Sequence, residues 1–282
     1  MRDVVLVTGA DGLIGRRLVR HLLATGNHEV VAWLHASDER ELAARGRVFT
    51  ARLDASHRMD VVGGDLRDAA PFAAVPGDVT VVVHAAAATR FNVERDVADA
   101  VNVAGARRVF EHARTLRRLR SLVHLSTLYV AGLATADVLE RPLDPAAAPP
   151  RFANHYERSK HEAERVLVAE FDDLPWRIAR SATVIADDAS GVVSRHNAVH
   201  NTLKLLFYGL LSIVPGDRDV PVHVTTTDVV VRATVALAAA EDALHRVAHV
   251  TSAPDDVISL GELLDVAFAS FGRDADFASR RL

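Results

Sequence analysis

The stretch "DVVLVTGADGLIG" (residues 3–15) decides the fold. Val4 to Val7 form an unbroken apolar run, which suits a strand buried on both faces of a parallel sheet. Gly9, Gly12 and Gly15 then recur every third residue, and "LIGRRLVRHLLATG" (13–26) continues as an amphipathic helix. A glycine pattern alone is weak, but directly after a strand and at the opening of a helix it is strong. The glycines supply a tight turn, a close approach of backbone to a ligand and close helix–strand packing. The helix N-terminus offers free N–H groups and a positive dipole end to phosphate oxygens. A plain glycine-rich turn is the bland alternative, and the flanking strand and helix count against it.

Further apolar runs follow at "EVVAWLH" (29–35), "MDVVGGD" (59–65), "VTVVVHAAAA" (79–88), "SLVHLST" (121–127), "WRIARSAT" (176–183) and "HRVAHVT" (245–251). Helical patterns lie at about 93–113, 154–171, 197–210 and 228–240. Val-rich strands alternating with helices predict an α/β, Rossmann-like, doubly wound parallel sheet. The expected division is a dinucleotide-binding core over 1–183, with its sheet completed at about 245–251. Residues 184–282 form a mostly substrate-side region interleaved with it as a single structural unit. The Pro/Ala loop "RPLDPAAAPP" (141–150) sits where open α/β sheets place binding loops.

The 282 residues are 49% hydrophobic and 25% charged, a globular composition, and the net charge of −4 argues against a nucleic-acid partner. The basic run "RTLRRLR" (114–120) reads as a solvated helix end. There is no cysteine, which excludes disulfides, thiolate nucleophiles and cysteine-held metals. With no leader pattern and no apolar run long enough to span a bilayer, the expectation is a cytoplasmic protein with no membrane partner. No metal is expected: His196 and His200 stand four apart on a predicted helix, but no third ligand is near.

An acid about twenty residues after the glycines would bind the ribose of NAD, whereas a cation would suit NADP. The second strand ends in Leu34 and His35, with Arg16 and Arg40 in the neighbourhood. NADP(H) is therefore favoured over NAD(H), with Asp38 and Glu39 as the competing signal. A second motif is "YERSK" (156–160). The chain has only two lysines, Lys160 and Lys204, and Lys160 falls four residues after Tyr156, one of three tyrosines. On a helix these share a face. A nearby ammonium is expected to lower the phenol pKa, making Tyr156 a proton donor or acceptor near neutral pH.

Taken together, these motifs resemble the extended short-chain dehydrogenase/reductases almost end to end. "TGADGLIG" (8–15) is similar to the family's TGxxGxxG, which implies cofactor contacts from Thr8, Gly9, Asp11, Gly12, Leu13, Ile14 and Gly15. "GDLRD" (64–68) resembles the adenine-side segment and nominates Asp65 and Leu66. "HAAA" (84–87) implies Ala85, Ala86 and Ala87, and "VNVAG" (101–105) nominates Asn102. His35 and Arg40 join them as candidates for the ribose end. "HLSTLYV" (124–130) resembles the active-site Ser/Thr strand, with Thr127, or its neighbour Ser126, as the hydrogen-bond donor beside Tyr156 and Lys160. The nearest branch is that of the acyl and carrier-bound thioester reductases. Three departures stand out: His35 where the branch often has Arg, Arg180–Ser181 in place of Arg–Pro, and no carrier-protein segment.

The resemblance implies an NADPH-dependent carbonyl reductase, in which Tyr156 protonates the oxygen as hydride arrives and Lys160 holds the nicotinamide ribose. The departures point to a free, small or bulky apolar metabolite, as in polyketide-type biosynthesis. The alternatives are an NAD-retaining sugar-nucleotide epimerase or dehydratase, a carrier-bound thioester reductase, and a dinucleotide-binding sensor, against which YxxxK counts. The run Leu205, Leu206, Phe207, Tyr208, Leu210 and Leu211 reads equally as a substrate lid, a homodimer contact or a buried helix.

Overall fold

The computed structural model describes residues 2–26, 28–51, 53, 58–133, 137–187, 190–193, 196–211, 213–241, 244–274 and 277. Its chain divides into two compact units, Met1–Ser181 with Val230–Val250, and Ala182–Val229 with Thr251–Leu282.

The first unit is built on strands β1 (Val4–Thr8), β2 (Glu29–His35), β3 (Met59–Gly64), β4 (Val81–His84), β5 (Ser121–Thr127), β6 (Trp176–Ser181) and β10 (Arg246–Val250). They form one parallel sheet in the order β10-β6-β5-β4-β1-β2-β3. The order reverses beside β1, which places the switch point between the exits of β1 and β4. All five residues of β1 are buried, as its unbroken apolar run requires.

Helices α1 (Leu13–Thr25), α2 (Glu39–Thr50), α3 (Arg95–Ala98), α4 (Gly105–Thr115) and α5 (His155–Glu170) belong to this unit, as does most of α7 (Thr227–Ala239). Trp33 and Trp176 anchor one continuous core with Phe72, Phe110, Phe171 and Ile178. The Trp33 indole N–H donates to the Pro71 carbonyl at 2.8 Å, so this fully buried ring leaves no polar atom unpaired.

The segment expected as one helix over 93–113 is interrupted by a π-helical stretch, Asp99–Ala104. The wider turn carries Asn102, whose side chain bonds the Ala88 backbone and Ser159, and π-bulges gather at such sites. Helix α2 was not apparent in the sequence pattern because only Phe49 among its residues is buried. Its start is fixed by the Asp38 side chain, which accepts from the Glu41 N–H.

The expected strand over 176–183 is two strands. β6 stops at Ser181, and β7 (Thr183–Ala186) pairs instead with β9 (Val224–Thr226) in the second unit. That unit also holds β8 (Pro221–Val222), β11 (Ile258–Ser259), α6 (Ala198–Phe207) and α8 (Leu260–Phe271). Its interior is a cluster of rings: Phe207 lies 5.3 Å from Phe271 and 5.5 Å from Phe277. Leu206 and Phe207 of the apolar run therefore pack inward, while Leu210 is 74% exposed. Parts of the 184–225 segment, including Ser212, lie outside the described residues. No helix among the described residues is long and apolar enough to cross a membrane.

Arg180 and Glu164 form a buried ion pair, 2.8 Å apart and at most 2% exposed. Arg180 also donates to the carbonyls of Leu139 and Arg141, tying the Pro/Ala loop to β6. Replacing Arg180 alone by Met leaves Glu164 buried without its partner, which should cost about 3–5 kcal/mol in urea unfolding. The pair of substitutions Arg180→Met and Glu164→Leu should recover much of that stability while leaving the loop at 139–141 sensitive to protease.

Candidate active site

At the exit of β1 the backbone conformation and the space both demand glycine. Gly9 has φ +67°, and a Cβ there would stand 2.7 Å from the Ala86 Cα. A Cβ on Gly15 would lie 2.2 Å from the Gly9 carbonyl oxygen, so the third glycine lets α1 press against the turn. Gly12 caps α1 without a side-chain bond, and the first turn (Leu13, Ile14) carries no acid. By contrast, α2, α5, α6 and α8 are each capped by a side chain, from Asp38, Asn154, Asn197 and Ser259. The start of α1 thus keeps unclaimed N–H groups and an uncompensated positive dipole end, which fits a dinucleotide pyrophosphate.

Thr8 ends β1 fully buried, and its hydroxyl and carbonyl accept from the N–H groups of Ala86 and Ala85. Asn102 fastens the other end of this segment. Its side chain accepts from the Ala88 N–H at 2.7 Å and donates to the Ala88 carbonyl and to Ser159 Oγ. Asn102 therefore positions the Ala85–Ala87 loop with its hydrogen bonds already spent on protein. Leu66 is similarly indirect: its side chain is 3% exposed in the core, where a Cβ on Gly105 would press on it.

A cleft of about 360 Å³ opens beside the β2 exit, lined by Asp11, Arg16, Ala44, Arg45, Val48 and Phe49. Arg45 reaches Asp11 at 3.0 Å, Glu41 at 3.1 Å and the His35 ring at 3.4 Å. His35 also meets Asp65 at 3.3 Å. Arg67 beside Asp65 holds that carboxyl far below the usual carboxylate range, against the opposing effect of burial. Arg40, nominated from the sequence, lies exposed in the first turn of α2 and takes no part in this cluster. The guanidinium that does so is Arg45. Its selection depends on the phase of α2, and the helix was not visible in the sequence pattern.

At the β5 exit, Thr127 hydrogen-bonds Tyr156, whereas Ser126 Oγ is buried without a partner. The strand alternation thus directs Thr127 toward the phenol. Phe91 packs 5.9 Å from the Tyr156 ring and 6.0 Å from Tyr129, giving the phenol an aromatic border. Burial pushes the Tyr156 phenol up to about 12, opposed by the Thr127 hydrogen bond. This corrects the expected lowering by Lys160. Lys160 does share the α5 helix, but its Nζ turns to the Leu125 carbonyl at 2.8 Å and His124 Nε2 at 3.1 Å. Burial brings Lys160 down to about 8, with Glu164 opposing the shift. At neutral pH, Tyr156 holds its proton and can donate it, while Lys160 carries a cation that little desolvation would discharge.

His196 and His200 stack at 5.5 Å, but both nitrogens of His200 are engaged, with Asn197 Oδ1 and the Ile185 carbonyl. His200 serves the cap of α6. His155 is exposed at the start of α5, next to the capping Asn154.

A family model described as male sterility protein, an NAD-binding domain, matches residues 7–234. The chain is 29% identical over 163 residues to an alcohol-forming fatty acyl-CoA reductase of Simmondsia chinensis, covering 49% of this chain and 33% of that protein. It is 30% identical over 219 residues to an isonitrile lipopeptide synthase of Streptomyces coeruleorubidus, covering 72% of this chain and 14% of that protein. The chain thus spans about a third or less of these relatives. Among solved structures, the terminal R domain of the myxalamid PKS-NRPS pathway superposes with a TM-score of 0.81 at 23% identity, over 95% of this chain and 69% of that one. The chain belongs to the male sterility protein family of NAD-binding domains, within the extended short-chain dehydrogenase/reductases.

Proposed function

We propose that this chain is an NADPH-dependent reductase that transfers hydride to the carbonyl carbon of an apolar acyl substrate. The observation that carries the reading is Tyr156: a phenol that keeps its proton, hydrogen-bonded to Thr127 and bordered by Phe91. Tyr156 gives its proton to the substrate oxygen, and Thr127 donates to the same oxygen where charge develops. Lys160 holds the nicotinamide ribose. The nucleotide, when bound, supplies the hydride; the chain supplies position and electrostatics.

Gly9, Asp11, Gly12 and the opening of α1 at Leu13 and Ile14 would hold the pyrophosphate. Ala85–Ala87 line the nucleotide, and Asp65 takes the adenine side. Arg45 and Arg16, beside His35, would hold the 2′-phosphate of NADPH, which is the support for NADP(H) over NAD(H). The fatty acyl-CoA reductase relative favours an acyl thioester as the carbonyl, ahead of the free ketone expected from the sequence; hydride at the carbon and a proton at the oxygen then give a hemithioacetal, which breaks its C–S bond to release free thiol and aldehyde. An aromatic border at the phenol suits either apolar substrate better than a sugar nucleotide.

The first test is identity and affinity of the nucleotide. Fluorescence titration should show exchangeable NADPH bound more tightly than NADH; tightly retained NAD+ would move the assignment to an epimerase or dehydratase. Arg45→Ala should weaken NADPH roughly ten- to a hundredfold, the worth of a charge-assisted hydrogen bond, with NADH affinity unchanged. An equal loss for both nucleotides would remove Arg45 from the 2′-phosphate.

The second test is chemistry. NADPH oxidation is followed with medium- and long-chain acyl-CoA and with matched methyl ketones. Tyr156→Phe should lower turnover roughly a hundred- to ten-thousandfold while leaving the nucleotide Kd in place. Retained turnover would take the proton-donor role from Tyr156.

A further inference from the structure

Behind Tyr156 runs a buried polar row that the assigned roles do not use. Strands β1, β4 and β5 pair in register at Thr8, His84 and His124, so these side chains emerge on one face of the sheet. Thr8 Oγ1 lies 2.8 Å from His84 Nδ1, and the His84 and His124 rings stand 5.2 Å apart, tilted by 32°. Lys160 reaches the end of the row from α5, with Nζ 3.1 Å from His124 Nε2. Thr8, His84, His124 and Lys160 are each at most 3% exposed.

The protonation pattern of this contact is constrained. An ammonium has three donors and no acceptor, so His124 Nε2 must offer its lone pair. The His124 proton then sits on Nδ1, which is buried and has no hydrogen-bond partner. A phenylalanine would occupy much the same space beside Phe110 without leaving a buried N–H unpaired. A histidine that only filled space would carry this cost for nothing. The charged groups that bear on Lys160 are few. Glu164 is already bound to Arg180, His84 and His124 are both held neutral by burial beside the cation, and Tyr156 keeps its proton.

We propose that His124 is a positioning residue for Lys160: as the Nδ1–H tautomer it accepts one ammonium hydrogen bond and, with the Leu125 carbonyl, holds the cation on two acceptors and leaves one N–H for the nucleotide. The role of that last N–H rests on the reading of Lys160 given above; the first two contacts do not. His124 thereby gives the buried ammonium a second acceptor beside the Leu125 carbonyl, which offsets part of the desolvation that disfavours its charge. His84, held by Thr8 at 2.8 Å, packs against the His124 ring at the far side of the row.

Only two lysines occur in the chain, so lysine labelled with 13C at Cε gives two signals, and Lys204→Arg leaves that of Lys160 alone. Its chemical shift is followed against pH in the full chain without nucleotide. His124→Phe should lower the Lys160 midpoint by about one unit or more, and His124→Asn, which restores an acceptor, should return most of it. An unchanged midpoint in His124→Phe overturns the proposal. If that variant does not fold, 15N-histidine spectra of the unaltered protein decide the matter. His124 as an uncharged Nδ1–H tautomer below the Lys160 midpoint supports the proposal, and an Nε2–H tautomer there overturns it. Neither measurement involves substrate or nucleotide, so a failure of the catalytic reading would appear in turnover and leave these results untouched.

Discussion

The close approach of the first turn to the exit of β4 is the constraint on which the rest of the site depends. Gly9 stands against Ala86 with no room for a Cβ, and Gly15 stands against Gly9 in the same way. From there a series of hydrogen bonds along the chain reaches the backbone of Tyr156. Thr8 binds Ala85 and Ala86, Asn102 binds Ala88 and Ser159, and Ser159 Oγ donates to the Tyr156 carbonyl at 2.8 Å. The glycine turn and the tyrosine helix, distant in sequence, are thereby held in one frame. A side chain at Gly9 would disturb both ends of it, which is why a glycine motif so far from the chemistry still controls its geometry.

The electrostatics of the frame are governed by burial more than by pairing. Tyr156 is pushed up to about 12 and Lys160 down to about 8, both in the direction that disfavours charge. The sequence argument for a lowered tyrosine assumed that four residues of helical spacing would bring ammonium to phenol. The spacing puts both on one face of α5, but the flexible lysine stem ends at the better acceptors, the Leu125 carbonyl and His124. Helical periodicity fixes where Cβ atoms point, and the neighbours on β5 decide where a long side chain finishes.

The same distinction separates what could be read from the sequence from what could not. The parallel sheet was legible because β1 and its companions are continuous apolar runs, and runs of that kind have one common use. The glycine turn and YxxxK were legible because backbone conformation and helical spacing leave a fixed residue pattern. Helix α2 was not, because it buries little beyond Phe49 and so has no apolar stripe to detect. With α2 unseen, Arg40 was the cation read as lying beside the β2 exit, whereas the phase of the helix turns Arg45 to His35 and Asp11. His124 was hidden for another reason. In "HLST" it looks like any residue of a buried strand, and its meaning comes from register with His84 on β4 and from Lys160 on a helix thirty-odd positions later.

The second unit shows why a substrate is harder to read than a cofactor. Every residue nominated for nucleotide or proton lies in the unit Met1–Ser181 with Val230–Val250. There, parallel register and tight turns dictate identity position by position. The other unit is held by short strand pairs and by the rings of Phe207, Phe268, Phe271 and Phe277. Rings can tilt and repack around a change of neighbour at little cost, so such a core fixes composition more than order. The motif-rich part of the sequence therefore identifies the family, and the motif-poor part leaves no comparable pattern to read.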